Sequence, residues 1–412
     1  MTEALVVSSL VSSCIELDPS VPVDLVALAG PDGFVFEQEG RGLAGRGVAL
    51  RIDLPDGLAG DLSDVGRILA SIDSNGPRPP VAVGALPFDR HEPASLVVPE
   101  LVVHRNPSGR QWLTTIGRQA VATDVADLVR ADASPIAVLP DGFSLTSPRP
   151  HPDWQRTIED AIAAIGAGGL EKVVVAREVL VEANRPIVVP DVLERLRALY
   201  PACVVFSVDG FLGASPELLI ERTGDAVRSH PLAGTYPRSG DPHADELLAA
   251  ELVASVKDQR EHRFVIDEID RVLRPRCSFL EVPVTPTIMQ LRNVLHLGTE
   301  IHGTLTSPRP TALELAAALH PTPAVAGTPT AAALAWLDSN EGLQRGRYAG
   351  PVGWVDAAGD GMFAIGIRSA EIDGCSARLF AGVGVVEGSD PRLELVETQL
   401  KLQAILAAVV RP

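Results

Sequence analysis

The sequence predicts a mainly antiparallel α+β fold, because segments with strand character are joined by tight turns and alternate with helical segments. The clearest turn is Asp209-Gly210, which separates two β-rich segments at residues 202–208 and 211–221. Turns rich in glycine and aspartate also separate three strands near the carboxyl end, at residues 352–356, 362–369 and 377–386. Strands joined so tightly run antiparallel, which argues against a doubly wound parallel sheet.

The amino-terminal part supplies the next elements in chain order. Residues 25–36 are predicted to form two strands joined by a turn at Pro31-Asp32-Gly33. Three prolines within residues 147–152 break any regular element, and we interpret this stretch as a linker or long loop rather than a domain border. A helix follows at about residues 152–167, closed by Gly168-Gly169.

One strand and two helices complete the predicted elements. A run of β-branched residues at 172–181 indicates a strand. Apolar residues recur at helical spacing over residues 245–273, which predicts one long helix. Asp390-Pro391 then opens a terminal helix, with aspartate as the capping residue and proline in the first helical position.

Composition argues against several classes of protein. Of the 412 residues 46% are apolar, enough for a sizeable core, and the net charge of −18 disfavours nucleic-acid binding because an acidic surface repels phosphate. No run of about 18 uncharged apolar residues occurs, so we expect no membrane span. No basic segment precedes the short apolar stretch at the amino terminus, and no two of the four cysteines show CxxC spacing. Both features favour a reducing, cytoplasmic location.

Lysine is rare in this sequence. Of the 35 basic residues only three are lysines, Lys172, Lys257 and Lys401, and the other 32 are arginines. Arginine supplies surface charge equally well, but its guanidinium keeps its proton and cannot replace a compact, deprotonatable amine. The three lysines are therefore candidates for a chemical role, with chance retention as the alternative.

Glutamates on two predicted helices are candidate metal ligands. Glu394 and Glu397 are three residues apart and share one face of the terminal helix, and Glu261 lies on the long helix. Carboxylates that converge from two helices suit Mg²⁺, which prefers oxygen ligands and retained waters. The alternative is that both helix faces are simply solvated. Lys257 and Lys401 would then form surface ion pairs with the glutamate four residues away.

Two further residues suit acid–base chemistry. Lys172 begins the β-branched run, and a buried lysine at the end of a strand can become a neutral amine and act as a base. Glu217 precedes the apolar residues 218–220, and a carboxyl group in apolar surroundings keeps its proton and can act as a general acid. The alternative for Glu217 is a carboxylate at a strand edge that faces water.

Ten short motifs follow one another in the order typical of one enzyme family. They are KVVVAR (172–177), GASPELL (213–219), PLAGT (231–235), SVKDQREH (255–262), HLGT (296–299), HPTPAVAGTP (320–329), YAGPVGW (348–354), IGIRSA (365–370), AGVGVV (381–386) and ELVETQLKL (394–402). Together they resemble the chorismate-utilising enzymes, which comprise isochorismate, salicylate, anthranilate and aminodeoxychorismate synthases. The motifs lie within residues 151–412, the expected chorismate-binding catalytic region. Residues 1–150, the expected N-terminal part of the fold, match only loosely.

The resemblance implies a single large α+β domain of the anthranilate/isochorismate synthase type, with two mainly antiparallel β-sheets flanked by helices. It also implies that chorismate binds between the sheets together with Mg²⁺. Lys172 would be the base and Glu217 the acid. Glu261 and Glu397 would hold the metal, with Glu394 assisting directly or through water. The residues expected to contact the substrate are Gly234, Thr235, His296, Ala324, Tyr348, Ile367, Arg368, Gly384 and Lys401.

Two positions indicate which member of the family the chain resembles most. Ala233 stands where one type of aminodeoxychorismate synthase carries a nucleophilic lysine, and Ala324 stands where the ammonia-using enzymes tend to carry threonine. The resemblance therefore implies an isochorismate synthase that uses water as the nucleophile and needs no glutamine amidotransferase subunit. Its product would serve menaquinone or siderophore biosynthesis.

Two other functions are open on the sequence alone. Salicylate synthase, which continues from isochorismate by eliminating pyruvate, is the nearest alternative. Tyr348 is the phenolic residue of salicylate synthases but also occurs in some isochorismate synthases, whereas Ile367 is more usual in isochorismate synthases. A catalytically silent chorismate-binding protein is the other alternative, although intact Lys172, Glu217 and metal carboxylates count against it.

Overall fold

The computed structural model describes residues 10–18, 20, 23–119 and 138–410. Residues 1–9, which hold most of the apolar amino-terminal stretch, lie outside these ranges. Numbered along the chain, the described strands are β1 (Val11–Glu16), β2 (Phe34–Gln38), β3 (Arg41–Arg46), β4 (Leu50–Leu54), β5 (Asp73–Asn75), β6 (Val81–Ala85), β7 (Ala94–Val98), β8 (Leu101–Arg105), β9 (Gln111–Gly117), β10 (Phe143–Thr146), β11 (Lys172–Ala183), β12 (Val204–Val208), β13 (Phe211–Ser215), β14 (Leu218–Thr223), β15 (Ala226–His230), β16 (Leu232–Pro237), β17 (Cys277–Glu281), β18 (Thr287–Gln290), β19 (Val294–Gly298), β20 (Ile301–Leu305), β21 (Gly327–Thr328), β22 (Pro351–Asp356), β23 (Gly361–Ile365), β24 (Ser369–Asp373) and β25 (Ser376–Val386).

Helices connect and flank these strands. Over the same described ranges they are α1 (Leu25–Ala29), α2 (Ser63–Ala70), α3 (His151–Gly166), α4 (Val189–Leu199), α5 (Pro242–Ala254), α6 (Val256–Leu273), α7 (Ala312–Leu319), α8 (Thr330–Asn340) and α9 (Pro391–Val410). None of these described helices is both long enough and apolar enough to cross a membrane.

The described strands form two large sheets and one small sheet. Across the larger sheet the order is β10-β11-β25-β24-β13-β12-β2-β3-β8-β9-β1-β5, with β21 beside β11. Across the second sheet it is β17-β20-β15-β14-β23-β22-β6-β7-β4, and the small sheet is β16-β19-β18. Among the described pairings only β1 with β5 is parallel. The predicted antiparallel α+β fold is therefore confirmed, and the small sheet is an addition to it.

Residues before 150 are woven into both large sheets. β2 pairs with β12, so that Phe36 lies opposite Phe206. In the second sheet β6 pairs with β22, so that Gly84 lies opposite Gly353. The proline-rich stretch at residues 147–152 is a short connection from β10 into α3, which begins at His151.

Apolar side chains hold the sheets and helices together. Phe206 and Phe211 of the larger sheet share one buried cluster with Val352 and Ala364 of the second sheet. Burying one such large side chain contributes about 1.5–3 kcal/mol relative to leaving it exposed. A second cluster packs α1, α4 and α9 on the larger sheet, and a third packs α3, α6 and α7 with the second sheet.

The strand pair predicted for residues 25–36 is wrong in its first half. Leu25–Ala29 form the short helix α1, because Asp24 caps it: its Oδ1 accepts hydrogen bonds from the N–H groups of Val26 and Ala27 at 2.9 and 3.2 Å. Side-chain capping satisfies backbone donors that have no partner in the first helical turn. β2 then begins only at Phe34.

The single helix predicted over residues 245–273 is two helices, α5 and α6. Ser255 between them has an extended backbone, with φ −69° and ψ 111°. Its Oγ accepts a hydrogen bond from the N–H of Asp258 at 3.2 Å, which caps α6. Apolar spacing alone carries no information about this break, because the pattern continues through it.

The chain crosses between the two large sheets several times, and two of these links interrupt a predicted strand. β13 of the larger sheet ends at Ser215 and β14 of the second sheet begins at Leu218, so the strand predicted over residues 211–221 is broken at Pro216-Glu217. The strand predicted over 362–369 is likewise broken at residues 366–368, between β23 and β24. The predicted carboxyl-terminal meander is therefore divided between two sheets.

Hydrogen bonds tie the two links together. The N–H of Ile365 donates to the carbonyl of Glu217 at 3.1 Å, and the N–H of Ala214 donates to the carbonyl of Arg368 at 3.2 Å. Arg368 has φ of 52°, a left-handed conformation that typically costs a non-glycine residue about 1–3 kcal/mol. These hydrogen bonds hold Glu217 and Arg368 where the chain passes between the two large sheets, although the left-handed backbone conformation of Arg368 is unfavourable.

Candidate active site

A cleft lies where the two links, the small sheet and the first halves of α6 and α9 meet. Its volume, open mouth included, is about 660 Å³. Every predicted site residue except Glu394 lines it, and these residues are Lys172, Glu217, Gly234, Thr235, Glu261, His296, Ala324, Tyr348, Ile367, Arg368, Gly384, Glu397 and Lys401.

Lys172, the first residue of β11, is almost completely buried, with 1% of its side chain exposed. Its Nζ lies 2.9 Å from Oε1 of Glu261 on α6. Burial opposes the charge of Glu261, but Lys172, through its charge and its hydrogen bond, holds the pKa of that carboxyl below its usual range. Gly384 on β25 leaves room for this pair, because a Cβ there would lie 2.2 Å from Oε1 of Glu261 and 2.9 Å from Cε of Lys172.

Glu217 lies in the first link and is 4% exposed. Its N–H donates to Oγ of Ser215 at 3.3 Å, which fixes the turn out of the larger sheet. Its Oε1 is buried and has no hydrogen-bond partner among the described residues. Burial raises the pKa of this carboxyl to about 7. A carboxyl group that keeps its proton near neutral pH and has an unpaired oxygen in a cleft can act as a general acid.

A hydrogen-bonded chain joins the small sheet to the second link. Nδ1 of His296 donates to the carbonyl of Gly234 at 2.6 Å, and Nε2 accepts a hydrogen bond from Nη2 of Arg368 at 3.1 Å. Burial lowers the pKa of His296 to about 3, so the ring is neutral and carries its proton on Nδ1. Oγ1 of Thr235 lies 3.4 Å from the same Nδ1. His296 therefore orients Arg368.

Tyr348, Lys401 and Glu397 form the wall of the cleft around Gly382. Tyr348 stacks on Phe380 with ring centroids 5.0 Å apart, and burial raises the pKa of its phenol to about 12. Nζ of Lys401 lies 2.6 Å from Oε1 of Glu397 and donates to the carbonyl of Gly382 at 2.9 Å. The ion pair predicted within the terminal helix is present, but it lines the cleft rather than an open surface.

The predicted metal carboxylates lie on α6 and α9, which meet at their first turns. Nζ of Lys257 on α6 lies 3.4 Å from Oε1 of Glu394 on α9. Burial raises the pKa of Glu394 to about 7, and the negative charge of Glu397 adds to the rise. Over the described ranges no three His, Cys, Asp or Glu side chains converge tightly enough to enclose a metal ion. Mg²⁺ binds through one or two carboxylates and keeps waters or substrate oxygens, so this set of oxygen donors fits it.

Asp258 is a fourth carboxylate of this group that the sequence analysis missed. It lies one helical turn before Glu261, and burial, together with the charge of Glu261, raises the pKa of its carboxyl despite the hydrogen bond from Ser255. Its Oδ1 would lie 3.2 Å from a Cβ at Gly234, so Asp258 contacts a residue of the cleft without lining the cleft itself. The signal was present in the sequence, since Asp258 and Glu261 have the same three-residue spacing as Glu394 and Glu397.

Arg345 also lines the cleft and was missed. It forms a buried ion pair with Glu341, with Nη2 to Oε1 at 2.6 Å, and its guanidinium also donates to the carbonyls of Val325 and Val174 at 2.8 and 2.7 Å. Each of its nitrogens is therefore used inside the fold. Arg345 holds the loop that carries Ala324 against β11, and its signal was the four-residue spacing from Glu341.

A buried amine, a carboxyl group that keeps its proton and several oxygen ligands in one cleft define the site of an acid–base enzyme that acts on a small anion. Comparison with known proteins points to the same class. Residues 80–410 match the family described as chorismate binding enzyme. Isochorismate synthase DhbC of Bacillus subtilis is 38% identical over 92% of this chain and 94% of its own length.

Two solved structures share the fold along nearly the whole chain. DhbC from Bacillus anthracis has a TM-score of 0.80 at 33% identity, covering 93% of this chain and 98% of that one. MenF of Escherichia coli, a menaquinone-specific isochorismate synthase, has a TM-score of 0.79 at 27% identity, covering 98% and 95%. The chain belongs to the chorismate binding enzyme family, as the ten motifs predicted.

Replacing Glu217 by glutamine should stabilise the protein above neutral pH. Because burial raises the pKa of Glu217 from 4.5 to about 7, the folded state holds this proton more tightly than the unfolded chain does. The free energy of unfolding therefore falls as pH rises between these two values. Glu217→Gln removes this loss, so at pH 8 its free energy of unfolding should exceed the wild-type value by about 3 kcal/mol.

Urea denaturation at pH 4 and pH 8 measures this difference, which should almost vanish at pH 4. The matched control is Glu159→Gln, at an exposed position on α3, which should change neither value. An equal effect of Glu217→Gln at both pH values would contradict a carboxyl group that is buried with its proton.

Substituting Gly384 by alanine should separate Lys172 from Glu261 while the protein still folds. The new Cβ would meet the ends of two flexible side chains, so we expect a loss of about 1–3 kcal/mol in stability. Turnover of chorismate should fall far more than this modest loss explains. Gly166→Ala is the control, because nothing lies within 4 Å of a Cβ there. Unchanged turnover in Gly384→Ala would show that the pair needs no fixed geometry.

Proposed function

We propose that the cleft converts chorismate to isochorismate by adding water at C2 of the ring and releasing the hydroxyl group at C4. The observation that carries the proposal is the placement in one cleft of the buried amine of Lys172 and of Glu217, whose pKa is raised by burial to about 7. The relatives bear out the activity expected from the sequence, since DhbC of Bacillus subtilis is an isochorismate synthase of almost the same length.

Lys172 and Glu217 divide the proton transfers. In the free protein Lys172 is an ammonium group paired with Glu261, so it must first release a proton to solvent. As the free amine it then takes a proton from the attacking water, and Glu217 gives its proton to the departing C4 hydroxyl. The ring double bonds shift between these events, so one water enters and one leaves. Acid or base assistance of this kind contributes about 10²–10⁴-fold in rate. Ala233 and Ala324 offer no competing nucleophile in the cleft, so water attacks and no amidotransferase subunit is needed.

Cationic and hydroxyl groups hold the two carboxylates of chorismate. Arg368, oriented by His296, presents a guanidinium that suits a two-point grip on a carboxylate. Lys401 supplies a second cation, and Tyr348 supplies a phenol hydroxyl whose pKa burial raises to about 12. These groups let a dianion bind to a chain whose net charge is −18.

Glu261 and Glu397 would hold Mg²⁺, with Glu394 and Asp258 assisting directly or through water. When bound, the metal neutralises and positions the ring carboxylate of the substrate. The helices α6 and α9 supply this side of the cleft and the strands β11 and β25 the other. We assign the product to menaquinone or siderophore biosynthesis in the cytoplasm.

Replacing Lys172 should abolish turnover without unfolding the protein. Lys172→Arg keeps the positive charge beside Glu261 but cannot accept a proton at pH 7, so the rate should fall by about 10²–10⁴-fold. Stopped reactions with chorismate measure the rate, and thermal denaturation checks the fold. A Lys172→Arg rate near the wild-type value would exclude Lys172 as the base.

Chorismate incubated with the protein and Mg²⁺ should yield isochorismate as the main product, identified by chromatography. Turnover should stop in EDTA and return with Mg²⁺.

Ile367→Leu should increase the minor fluorescence of salicylate, because a small change of pocket shape is worth only about 1–3 kcal/mol of discrimination. Conversion of most chorismate to salicylate, with pyruvate in equal amount, would establish the salicylate synthase alternative. An unchanged substrate spectrum would establish the silent binding protein.

A further inference from the structure

The three lysines of the chain all pair with carboxylates of the proposed metal site. Lys172 contacts Glu261 at 2.9 Å and Lys401 contacts Glu397 at 2.6 Å. Lys257, which the proposed mechanism leaves without a role, contacts Glu394 at 3.4 Å. The chain has 32 arginines, but within the described ranges none of them forms an ion pair with these three glutamates.

Lys257 differs from the other two lysines in its surroundings. It stands on the first turn of α6 and reaches across to the first turn of α9, with 46% of its side chain exposed. Its partner Glu394 is 5% exposed and does not line the cleft. The sequence predicted an ion pair between Lys257 and Glu261 within one helix, so this contact between two helices corrects that expectation. Lys257 can therefore leave Glu394 by a side-chain rotation into solvent.

We infer that Lys257 is a built-in counter-ion that holds Glu394 while the metal is absent and yields it when a divalent cation binds. The inference rests on the proposed metal site. Four acidic side chains crowd this region, and without a counter-ion their mutual repulsion would oppose the approach of the first turns of α6 and α9. Lys257 supplies one positive charge at that junction, and a metal ion competes with it for the same carboxylate.

The choice of lysine follows from this exchange. An arginine would grip a carboxylate through two parallel hydrogen bonds and would give it up less readily. An ammonium group on a flexible chain makes a single contact, and here that contact is long, at 3.4 Å. Nearly all basic residues of the chain are arginine, 32 of 35. Lysine therefore stands at the position where the partner carboxylate must be released.

The test is the affinity for Mg²⁺ alone, measured by isothermal titration calorimetry on the full chain. Lys257→Met removes the competing charge and should tighten Mg²⁺ binding by about three- to tenfold, as expected for one partly exposed charge. Lys257→Arg should weaken binding, because its hold on Glu394 is firmer. Arg260→Met is the matched control, since Arg260 lies on the same helix with 58% of its side chain exposed and faces Glu171 instead.

A second readout covers the metal-free protein. Lys257→Met should lower the melting temperature without metal, and added Mg²⁺ should raise it by more than in the wild type. In a Glu394→Gln background the substitution of Lys257 should no longer change the affinity. Unchanged or weaker Mg²⁺ binding by Lys257→Met would overturn the inference. If wild-type protein bound no Mg²⁺, the metal site of the proposed function would fail instead, whereas wild-type binding without an effect of Lys257 would remove only its counter-ion role.

Discussion

The contact between Lys172 and Glu261 is the interaction on which the rest of the site depends. It joins the start of β11 to α6 across 2.9 Å and buries the lysine almost completely. Removing one member of such a pair leaves an uncompensated buried charge, which typically costs about 3–5 kcal/mol. The neighbouring strand leaves space for the pair, because a Cβ at Gly384 on β25 would collide with both side chains. The same ion pair therefore joins α6 to the larger sheet and contains Lys172, the proposed base.

The sequence predicted the strands and helices better than their grouping. The hairpin at Asp209-Gly210 and the capped terminal helix were found because turns and caps depend on a few neighbouring residues. The breaks at Pro216-Glu217 and at residues 366–368 were missed, because strand periodicity is the same in either sheet and does not show where a chain changes sheets. The helix break at Ser255 was missed for a related reason, since the capping serine sits inside a continuous apolar pattern.

The candidate site was predicted more completely than the fold. Thirteen of its residues were named from motifs and line one cleft, since catalytic residue types are chemically restricted and recur at recognisable spacings. Arg345 and Asp258 were missed because they act through other residues. Arg345 serves the backbone carbonyls of Val174 and Val325, and Asp258 is paired with a capping serine. The spacings of Asp258 from Glu261 and of Arg345 from Glu341 were visible in the sequence, but the carbonyls of Val174 and Val325 that Arg345 binds lie in distant segments, which spacing does not reveal.

The second link, which sequence patterns failed to show, also contains a residue in an unfavourable backbone conformation. Arg368 in this link has a φ of 52°, and Ala349, whose N–H donates to the carbonyl of Gly366 in the link at 2.8 Å, has a φ of 65°. Hydrogen bonds between the links and the neutral ring of His296 hold Arg368 in that conformation before any substrate arrives. The packing of the two large sheets offsets the unfavourable free energy of this backbone conformation. The guanidinium of Arg368 therefore needs little reorganisation when an anion binds. A fold that passes from one sheet to the other at these links thereby brings Glu217, the proposed general acid, and Arg368, the proposed anion-binding residue, into one cleft.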